Sequence, residues 1–195
     1  CSLVGSEMCI RDSRKQLLDV VPNAGHLGVA DLERDFNVTV VTQNVDNLHE
    51  RAGSTHVIHL HGELTKVCSS RDPYNPHFVK ELAPEEYEVK LGDKAGDGTQ
   101  LRPFIVWFGE SVPEIETAIR YVEQADIFVI IGTSLNVYPA AGLLNYVPRA
   151  AEVYLIDPKP VDTHVMRPIH VIQKGASEGV KELKALLAAT QPPLL

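Results

Sequence analysis

Amides, a carboxylate and histidines are concentrated in one short stretch of the chain. Gln43, Asn44 and Asp46 follow an apolar run at residues 38–41, and His61 comes soon afterwards. An imidazole can accept a proton near neutral pH because its unperturbed pKa is about 6.5. Amide and carboxylate groups can hold the polar groups of a ligand. These residue types therefore predict a ligand site, and His61 is the side chain in it that can accept a proton.

Two short strands are needed to position these groups. Residues 38–41 predict a buried strand, and open α/β sheets bind ligands just beyond the carboxyl ends of such strands. Residues 57–60 predict a second strand, which delivers His61 to a glycine-flanked exit. The two neighbouring histidines, His56 and His59, are interpreted as structural.

Each candidate also has a purely structural interpretation. An isolated histidine at a strand end is more often hydrogen-bonded within a core than catalytic, and this applies to His61 taken alone. Asp46 could cap a helix predicted at residues 45–51. His49, on the same helix, is interpreted as supporting the ligand-binding side chains. The residues alone leave these alternatives open.

Several motifs in one order resemble the sirtuins, the NAD-dependent protein-lysine deacylases. They are TQNVDNLHERAG at residues 42–53, His61-Gly62, VWFGE at 106–110, GTSL at 132–135 and VYPAA at 137–141. Several motifs in a fixed order are far more specific than any one of them. The resemblance spans roughly residues 22–188. It implies removal of acyl groups from protein lysine, with NAD consumed as co-substrate and nicotinamide, O-acyl-ADP-ribose and free lysine as products.

The resemblance also implies roles for individual residues. His61 would activate a ribose hydroxyl so that the acyl group can move onto the sugar. The pocket for the nicotinamide and its ribose would be formed by Gln43, Asn44 and Asp46. The other NAD-binding residues implied are Gly132, Thr133, Ser134, Asp157 and Ala176. The residues implied for the acyl-lysine peptide are Val106, Phe108, Gly109, Glu110 and Val137, with Phe108 and Val137 lining the tunnel for the lysine stem.

Strands alternate with helices along the chain, which predicts an α/β fold. We expect a Rossmann-like, doubly wound parallel sheet with a small inserted module at about residues 62–104. The clearest strand, residues 126–131, is uniformly apolar, as a strand covered on both faces should be. The first helix is predicted over residues 23–36, with Asn23 as N-cap and Leu27 among its inward-facing residues. Further strands are predicted at 104–107, 152–156 and 170–172, and further helices at 113–124, 139–146 and 177–187.

The small module departs from the family pattern at its cysteines. Most sirtuins carry two Cys-x-x-Cys pairs there, which bind one zinc ion through four thiolates. This chain has three cysteines, and Cys68 is the only one beyond residue 9. His77 could in principle be a second ligand, but two ligands do not make a structural zinc site. We therefore expect no metal site and a module held by its own packing.

The first residues, CSLVGSEMCIRDS, have neither strand nor helix periodicity. They resemble translated sequencing-adapter read-through, and a genuine flexible extension is the alternative. Sirtuins begin with a strand and a Gly-Ala-Gly-x-Ser loop that holds the NAD diphosphate, and no such sequence occurs here. We expect residues 1–13 to be a non-native leader and residues 14–195 to be a catalytic domain that lacks this strand and loop. The activity of this fragment is expected to be impaired.

Charge and hydropathy limit the partners. The net charge of −8 and the pI near 5.4 argue against binding to a nucleic acid backbone. No apolar stretch approaches the ~20 residues of a spanning helix, so we expect a cytoplasmic protein that acts on acyl-lysine proteins and not at a membrane. The WFGE form resembles bacterial class III sirtuins, many of which remove succinyl groups. Their Tyr-x-x-Arg pair would fall at or before Ser13-Arg14, so deacetylase and desuccinylase activities stay undistinguished.

Two functions from other classes compete with the deacylase. A catalytically silent module that binds NAD or ADP-ribose is favoured by the missing glycine loop. An ADP-ribosyltransferase would cleave the same bond of NAD. His61 favours the deacylase over the silent module, because binding alone does not need a base. The sequence does not indicate the protein substrates or the oligomeric state.

Overall fold

The computed structural model describes residues 12–83, 86, 88–133, 140–160 and 167–190. The chain divides into two compact units. Unit 1 comprises Thr42–Asn47, His59–Ser111 and the described part of Cys1–Val21. Unit 2 comprises Pro22–Val41, Leu48–Ile58 and the described part of Val112–Leu195. His61 lies in unit 1, and Asp157 and Ala176 lie in unit 2.

Outside residues 57–105, where four strands follow one another, the described helices and strands largely alternate, as the sequence predicts. The helices are α1 (residues 12–19), α2 (Ala24–Asp31), α3 (Leu48–Ala52), α4 (Ile115–Val122) and α5 (Ala176–Thr190). The strands are β1 (Val40–Thr42), β2 (Val57–His59), β3 (Gly62–Ser69), β4 (Lys80–Glu81), β5 (Leu101–Ile105), β6 (Ile127–Ile131), β7 (Glu152–Ile156) and β8 (His170–Ile172). Short 3-10 segments cover Leu32–Arg34, Pro76–Phe78 and Ala140–Tyr146. None of the described helices is both long enough and apolar enough to span a bilayer.

Parallel strands form the centre of unit 2. The strands β6, β7 and β8 pair in that order, and both ladders are parallel. Their apolar side chains pack with those of α5 in a core that consists of Leu32, Tyr154, Ile156, Ile172, Val180, Leu183 and Leu187. Strands β1 and β2 pair as a separate two-stranded sheet. The α/β class with parallel strands is confirmed, whereas a single doubly wound sheet stays a prediction.

Unit 1 contains the antiparallel sheet of the predicted small module, in the order β4-β3-β5. The strand expected at residues 104–107 lies at Leu101–Ile105 and includes Pro103 opposite Val67. Proline argues against a central strand because it has no N–H for the ladder. It is accommodated here because β5 is the edge of this sheet and pairs only with β3.

The first predicted helix is confirmed at its start and corrected along its face. Asn23 is the N-cap, and its side chain accepts hydrogen bonds from the N–H groups of Gly25 and His26. Leu27, expected to face inward, is 52% exposed. Gly25 and Gly28 lie on the inner face instead. A Cβ atom on Gly28 would lie 2.8 Å from Cγ1 of Val180 in α5. Close backbone approach, not a large apolar side chain, joins these helices.

A second close approach brings α5 onto the end of β7. A Cβ atom on Gly179 would lie 2.1 Å from Cγ2 of the fully buried Ile156. Glycine at this position therefore allows the first turn of α5 to lie against the last residue of β7. Ala176 begins α5 and Asp157 directly follows β7, so the packing of Gly179 determines how closely these two predicted NAD contacts approach.

Replacing Gly179 by alanine should lower the free energy of unfolding by about 1–3 kcal/mol, because Cγ2 of Ile156 cannot rotate away from the new methyl group. In an Ile156→Ala background the same change should be neutral or stabilising, since the clash is gone and alanine favours the helix. Urea unfolding of the four proteins measures this coupling. Equal effects of Gly179→Ala in both backgrounds would show that the approach to Ile156 is not limiting.

Candidate active site

The side chain of His61 is oriented by the segment that follows β1. Its Nδ1 lies 3.0 Å from the main-chain carbonyl oxygen of Gln43. A carbonyl can only accept a hydrogen bond, so Nδ1 must carry the proton and donate it. The neutral ring then has its lone pair on Nε2. This geometry leaves Nε2 of His61 as the atom that can accept a proton.

The main chain of His61 is fixed as firmly as its ring. Its carbonyl oxygen accepts a hydrogen bond of 3.0 Å from the N–H of Val106. The next residue, Gly62, has φ +79° and pairs with Ile105 of β5. A Cβ atom at residue 62 would lie 2.2 Å from the carbonyl oxygen of Phe104. Glycine after the histidine is therefore required by both its conformation and the approach of β5.

The other two histidines of this stretch have structural partners, as expected. His59 is buried, and its Nδ1 lies 3.3 Å from the carbonyl oxygen of Asn44. Residues two apart along a strand share a face, and His59 and His61 bond to neighbouring carbonyls. In unit 2, the Nδ1 of His56 lies 3.0 Å from Oγ1 of Thr39.

The three polar residues after β1 differ in exposure. The side chain of Asn44 is exposed, and its main-chain N–H donates to Oγ1 of Thr42 at 3.0 Å. Gln43 and Asp46 are half-buried. Because α3 begins at Leu48, the flanking position belongs to Asn47 and not to Asp46. Asp46 lies two residues before the first residue of α3, so its role as a helix cap stays an alternative to ligand binding.

Arg14 supports the strand that leads away from His61. Its guanidinium donates to the carbonyl oxygens of Leu64 at 2.6 Å and Lys66 at 3.0 Å. In this interval β3 loses register with β5, so the guanidinium supplies donors where the ladder is irregular. Burial lowers the pKa of Arg14 to about 10. Arg14 is therefore bound to the main chain, although the resemblance places the acid-binding arginine of class III sirtuins nearby.

The predicted substrate loop, residues 106–110, continues from β5. Phe108 lies at its tip with a fully exposed side chain, and Gly109 has φ +90°. The carboxylate of Glu110 is bound by both terminal nitrogens of Arg102. Hydrogen bonds from Arg102 lower the pKa of Glu110. Glu110, predicted to contact substrate, thus has partners within the protein.

The remaining predicted NAD contacts that are described lie at strand and helix ends of unit 2. Gly132 follows β6 with φ +63°, and apart from its chain neighbours no atom of the described residues lies within 4 Å of the position of a Cβ atom. Asp157 follows the neighbouring strand β7, and its Oδ1 accepts the N–H of Lys159 at 2.8 Å. Thr133 is half-buried, and Ala176 begins α5. The positions predicted for Ser134 and Val137 lie outside the described residues.

The residues of the small module do not fit a zinc site. Cys68 is fully buried, its thiol lies 3.7 Å from the carbonyl oxygen of Pro103, and burial raises its pKa. The neighbouring Ser69 hydroxyl donates to Asp97 at 2.7 Å and lies 2.9 Å from Oγ1 of Thr99. Over the described part of the chain, no group of three or more His, Cys, Asp or Glu side chains could hold a metal ion.

Sequence reasoning did not assign a role to three features of this site. They are Arg14 beneath β3, Arg102 beside the substrate loop and the cluster of Ser69, Asp97 and Thr99. Arg102 belongs to the Leu-Arg-Pro sequence that precedes the loop. The role of each guanidinium group becomes clear only when the oxygen atoms that accept its hydrogen bonds are known.

Comparison with known proteins gives a consistent result. The pattern of the Sir2 family matches residues 7–139. An NAD-dependent protein deacylase of Bacteroides thetaiotaomicron is 83% identical over 174 residues, which cover 89% of this chain and 74% of that protein. An NAD-dependent protein deacylase of Helicobacter pylori is 46% identical over 170 residues, covering 87% and 72%.

Solved structures are similar over most of the chain. A Sir2 homologue in complex with NAD superposes with a TM-score of 0.75 at 34% identity, over 91% of this chain and 69% of that chain. A complex of Sir2 with a p53 peptide and NAD+ superposes with a TM-score of 0.71 at 27% identity, over 90% of this chain and 74% of the other.

Proposed function

The chain belongs to the Sir2 family and is an NAD-dependent protein deacylase, and we propose that His61 is the general base of its reaction. The hydrogen bond from Nδ1 of His61 to the carbonyl of Gln43 carries this proposal. It holds the ring in the tautomer whose Nε2 accepts a proton. His59 has a similar bond but is buried, whereas His61 is half-buried, so its Nε2 remains accessible to a ligand.

NAD supplies a sugar carbon that becomes reactive when nicotinamide leaves. We propose that Gln43, Asn44 and Asp46 hold the nicotinamide and its ribose, so that a ribose hydroxyl can transfer its proton to His61. The exposed amide of Asn44 can both donate to and accept from sugar hydroxyls. The carboxylate of Asp46 can accept the carboxamide N–H groups. Orientation of the sugar and uptake of one proton are thereby assigned to different residues.

The adenosine end of NAD is assigned to residues of unit 2. We propose Asp157 and Ala176 as its contacts, and Gly132, Thr133 and Ser134 as contacts of ribose or phosphate oxygens. Gly132 suits a contact with NAD because no described side chain crowds the position of its missing Cβ atom, so a ligand can approach the backbone. The carboxyl ends of parallel strands are where such folds bind nucleotides.

Acyl-lysine proteins are proposed as the second substrate. The exposed Phe108 and the residues beside it, Val106 and Gly109, offer an edge to an extended peptide, and Val137 is proposed to complete the lysine tunnel. The p53 peptide in the similar Sir2 complex supports this substrate class. The net charge of −8 disfavours nucleic acid as a partner. The cytoplasm is the proposed location, and the acyl group preferred is left open.

Replacing His61 by asparagine should reduce deacylation about 10²–10⁴-fold, the usual contribution of a general base. NAD affinity should change little, whereas Asn44→Ala or Asp46→Asn should weaken NAD binding as well as turnover. The protein tested is the chain extended by the family's strand and Gly-Ala-Gly-x-Ser loop. Turnover is measured with an acetyl-lysine peptide at saturating NAD, and NAD binding by calorimetry.

His77→Asn is the matched control, because His77 is exposed in the small module. Near-normal deacylation by His61→Asn would refute the assigned role. Retained NAD binding without any deacylation by the wild type would favour the silent module instead. Transfer of ADP-ribose to the peptide would favour the ADP-ribosyltransferase.

We propose that the 195-residue chain is itself impaired. The backbone donors of a glycine-rich loop at a helix N-terminus are well suited to a diphosphate, and this sequence has no Gly-Ala-Gly-x-Ser to provide them. The extended chain should therefore release nicotinamide from NAD with an acyl-lysine peptide, and residues 14–195 should do so far more slowly. Comparable release by both proteins would show that the loop is dispensable.

We also propose that the small module is held by hydrogen bonds in place of zinc. The buried hydroxyl of Ser69 accepts the N–H groups of Arg71 and Asp72 at 3.0 and 3.1 Å in addition to its bond to Asp97. Asp97 in turn accepts the N–H and hydroxyl of Thr99. These bonds tie the end of β3 to the loop before β5, where the family's cysteines would hold the metal.

Acid should weaken this cluster in a defined range. Hydrogen bonds from Ser69 and Thr99 lower the pKa of Asp97 to about 2. Because the unfolded carboxyl titrates near pH 3.9, the stabilisation is complete above about pH 4 and is lost as the pH falls toward 2. The urea midpoint of Asp97→Asn should therefore fall below that of the wild type at pH 6, and the gap should narrow by pH 3.

Asp93→Asn, at an exposed carboxylate of the same loop, is the control. EDTA should leave the wild-type midpoint unchanged, and protein purified without a histidine tag should contain well under one zinc ion per chain. Stoichiometric zinc, or a midpoint that falls on chelation, would overturn the proposal.

A further inference from the structure

We propose that Arg102 and Glu110 are positioning residues, which hold the loop of residues 106–110 in the shape that receives the acyl-lysine peptide. This inference rests on the proposed function of that loop. It gives Glu110 a different role from the direct substrate contact expected from the family resemblance.

The two side chains form a bidentate pair. Nη1 of Arg102 donates to Oε1 of Glu110 at 2.6 Å, and Nη2 donates to Oε2 at 3.0 Å. The side chains are only 19% and 34% exposed, respectively. Two parallel bonds between planar groups fix orientation as well as distance. The end of the loop is therefore held rigidly against β5.

The same carboxylate also closes the loop on itself. Oε2 of Glu110 accepts the main-chain N–H of Trp107 at 3.1 Å, while the N–H of Glu110 donates to the carbonyl of Trp107 at 3.0 Å. Phe108 and Gly109 lie between these bonds, with Phe108 fully exposed at the tip. Loss of the carboxylate would release the turn that presents Phe108.

The start of the loop is fixed by the catalytic histidine. The N–H of Val106 donates to the carbonyl oxygen of His61. The loop is therefore attached at its first residue to the main chain of His61 and at its last residue to the side chain of Arg102. A shift at the Glu110 end would alter the peptide edge while the bond between His61 and Gln43 remains. The pair should therefore affect peptide binding more than NAD binding.

Arginine is required here because of its geometry. A lysine at residue 102 would supply a point charge without the planar fork that matches both carboxylate oxygens. Glutamine at residue 110 would keep the shape of Glu110 but replace one acceptor oxygen by a donor that faces Arg102. Arg102→Lys should thus be milder than Arg102→Gln, and Glu110→Gln should resemble the latter.

The test measures the Kd of a fluorescently labelled acetyl-lysine peptide without NAD, and the KM of peptide and NAD in the extended chain. Glu110→Gln and Arg102→Gln should raise the Kd and the peptide KM by about tenfold or more, because the loop loses charge-assisted bonds. The KM for NAD should stay within about twofold. Arg102→Lys should fall between wild type and Arg102→Gln.

Glu63→Gln is the matched control, since Glu63 and Lys66 form an ion pair at 2.7 Å with side chains 23% and 31% exposed in the same unit. It removes an ion pair of similar exposure outside the loop and should leave the peptide Kd unchanged. An unchanged peptide Kd in Glu110→Gln, or an equal rise in the KM of NAD, would overturn the positioning role. A wild type that binds peptide yet never deacylates it would overturn the proposed function alone.

Discussion

The hydrogen bond between the ring of His61 and the carbonyl of Gln43 is the constraint on which the site depends. It requires a strand before each partner, and both strands are short: Val40–Thr42 and Val57–His59. It also requires Gly62, because any side chain there would strike the main chain of β5. A single bond thus connects the tautomer of His61 to the pairing of three strands. The identity of the proton-accepting nitrogen and the local fold therefore cannot be varied independently at this point.

Close backbone approach solves a second positioning problem in unit 2. Helix α5 contacts β7 through Gly179 and contacts α2 through the opposing Gly28. Large side chains at these positions would bury more apolar area but would move the N-terminus of α5 away from the strand ends. Gly28 and Gly179 therefore bury less apolar area than larger residues would, and each costs about 1 kcal/mol of helix propensity. In exchange, the N-terminus of α5 lies beside residues proposed to bind nucleotide.

Sequence reasoning succeeded where one local rule was sufficient. The cap at Asn23 follows from a short-range preference, and the parallel pairing of β6, β7 and β8 follows from the alternation of strands with helices; the structure confirms both. It failed where tertiary contacts overruled the pattern. Leu27 fits an apolar helical stripe, yet glycines occupy the inner face. The strand predicted at residues 104–107 begins earlier, at Leu101, and includes Pro103, because only the sheet order reveals an edge position that accepts proline. Arg14 and Arg102 received no role in the site, because such a role depends on the acceptors beside them.

Both arginines act on main-chain geometry around one strand pair, and this agrees with the proposal that the small module is held by hydrogen bonds in place of zinc. A structural zinc site contributes about 10–16 kcal/mol in isolated zinc-binding peptides, far more than a few hydrogen bonds. That much is needed only where the peptide has little other structure. Here β3 already pairs with two strands, Arg14 supports its irregular section, and Arg102 anchors the loop after β5. The cluster around Ser69 then has only to fix a loop to an existing sheet, for which hydrogen bonds of ordinary strength are adequate.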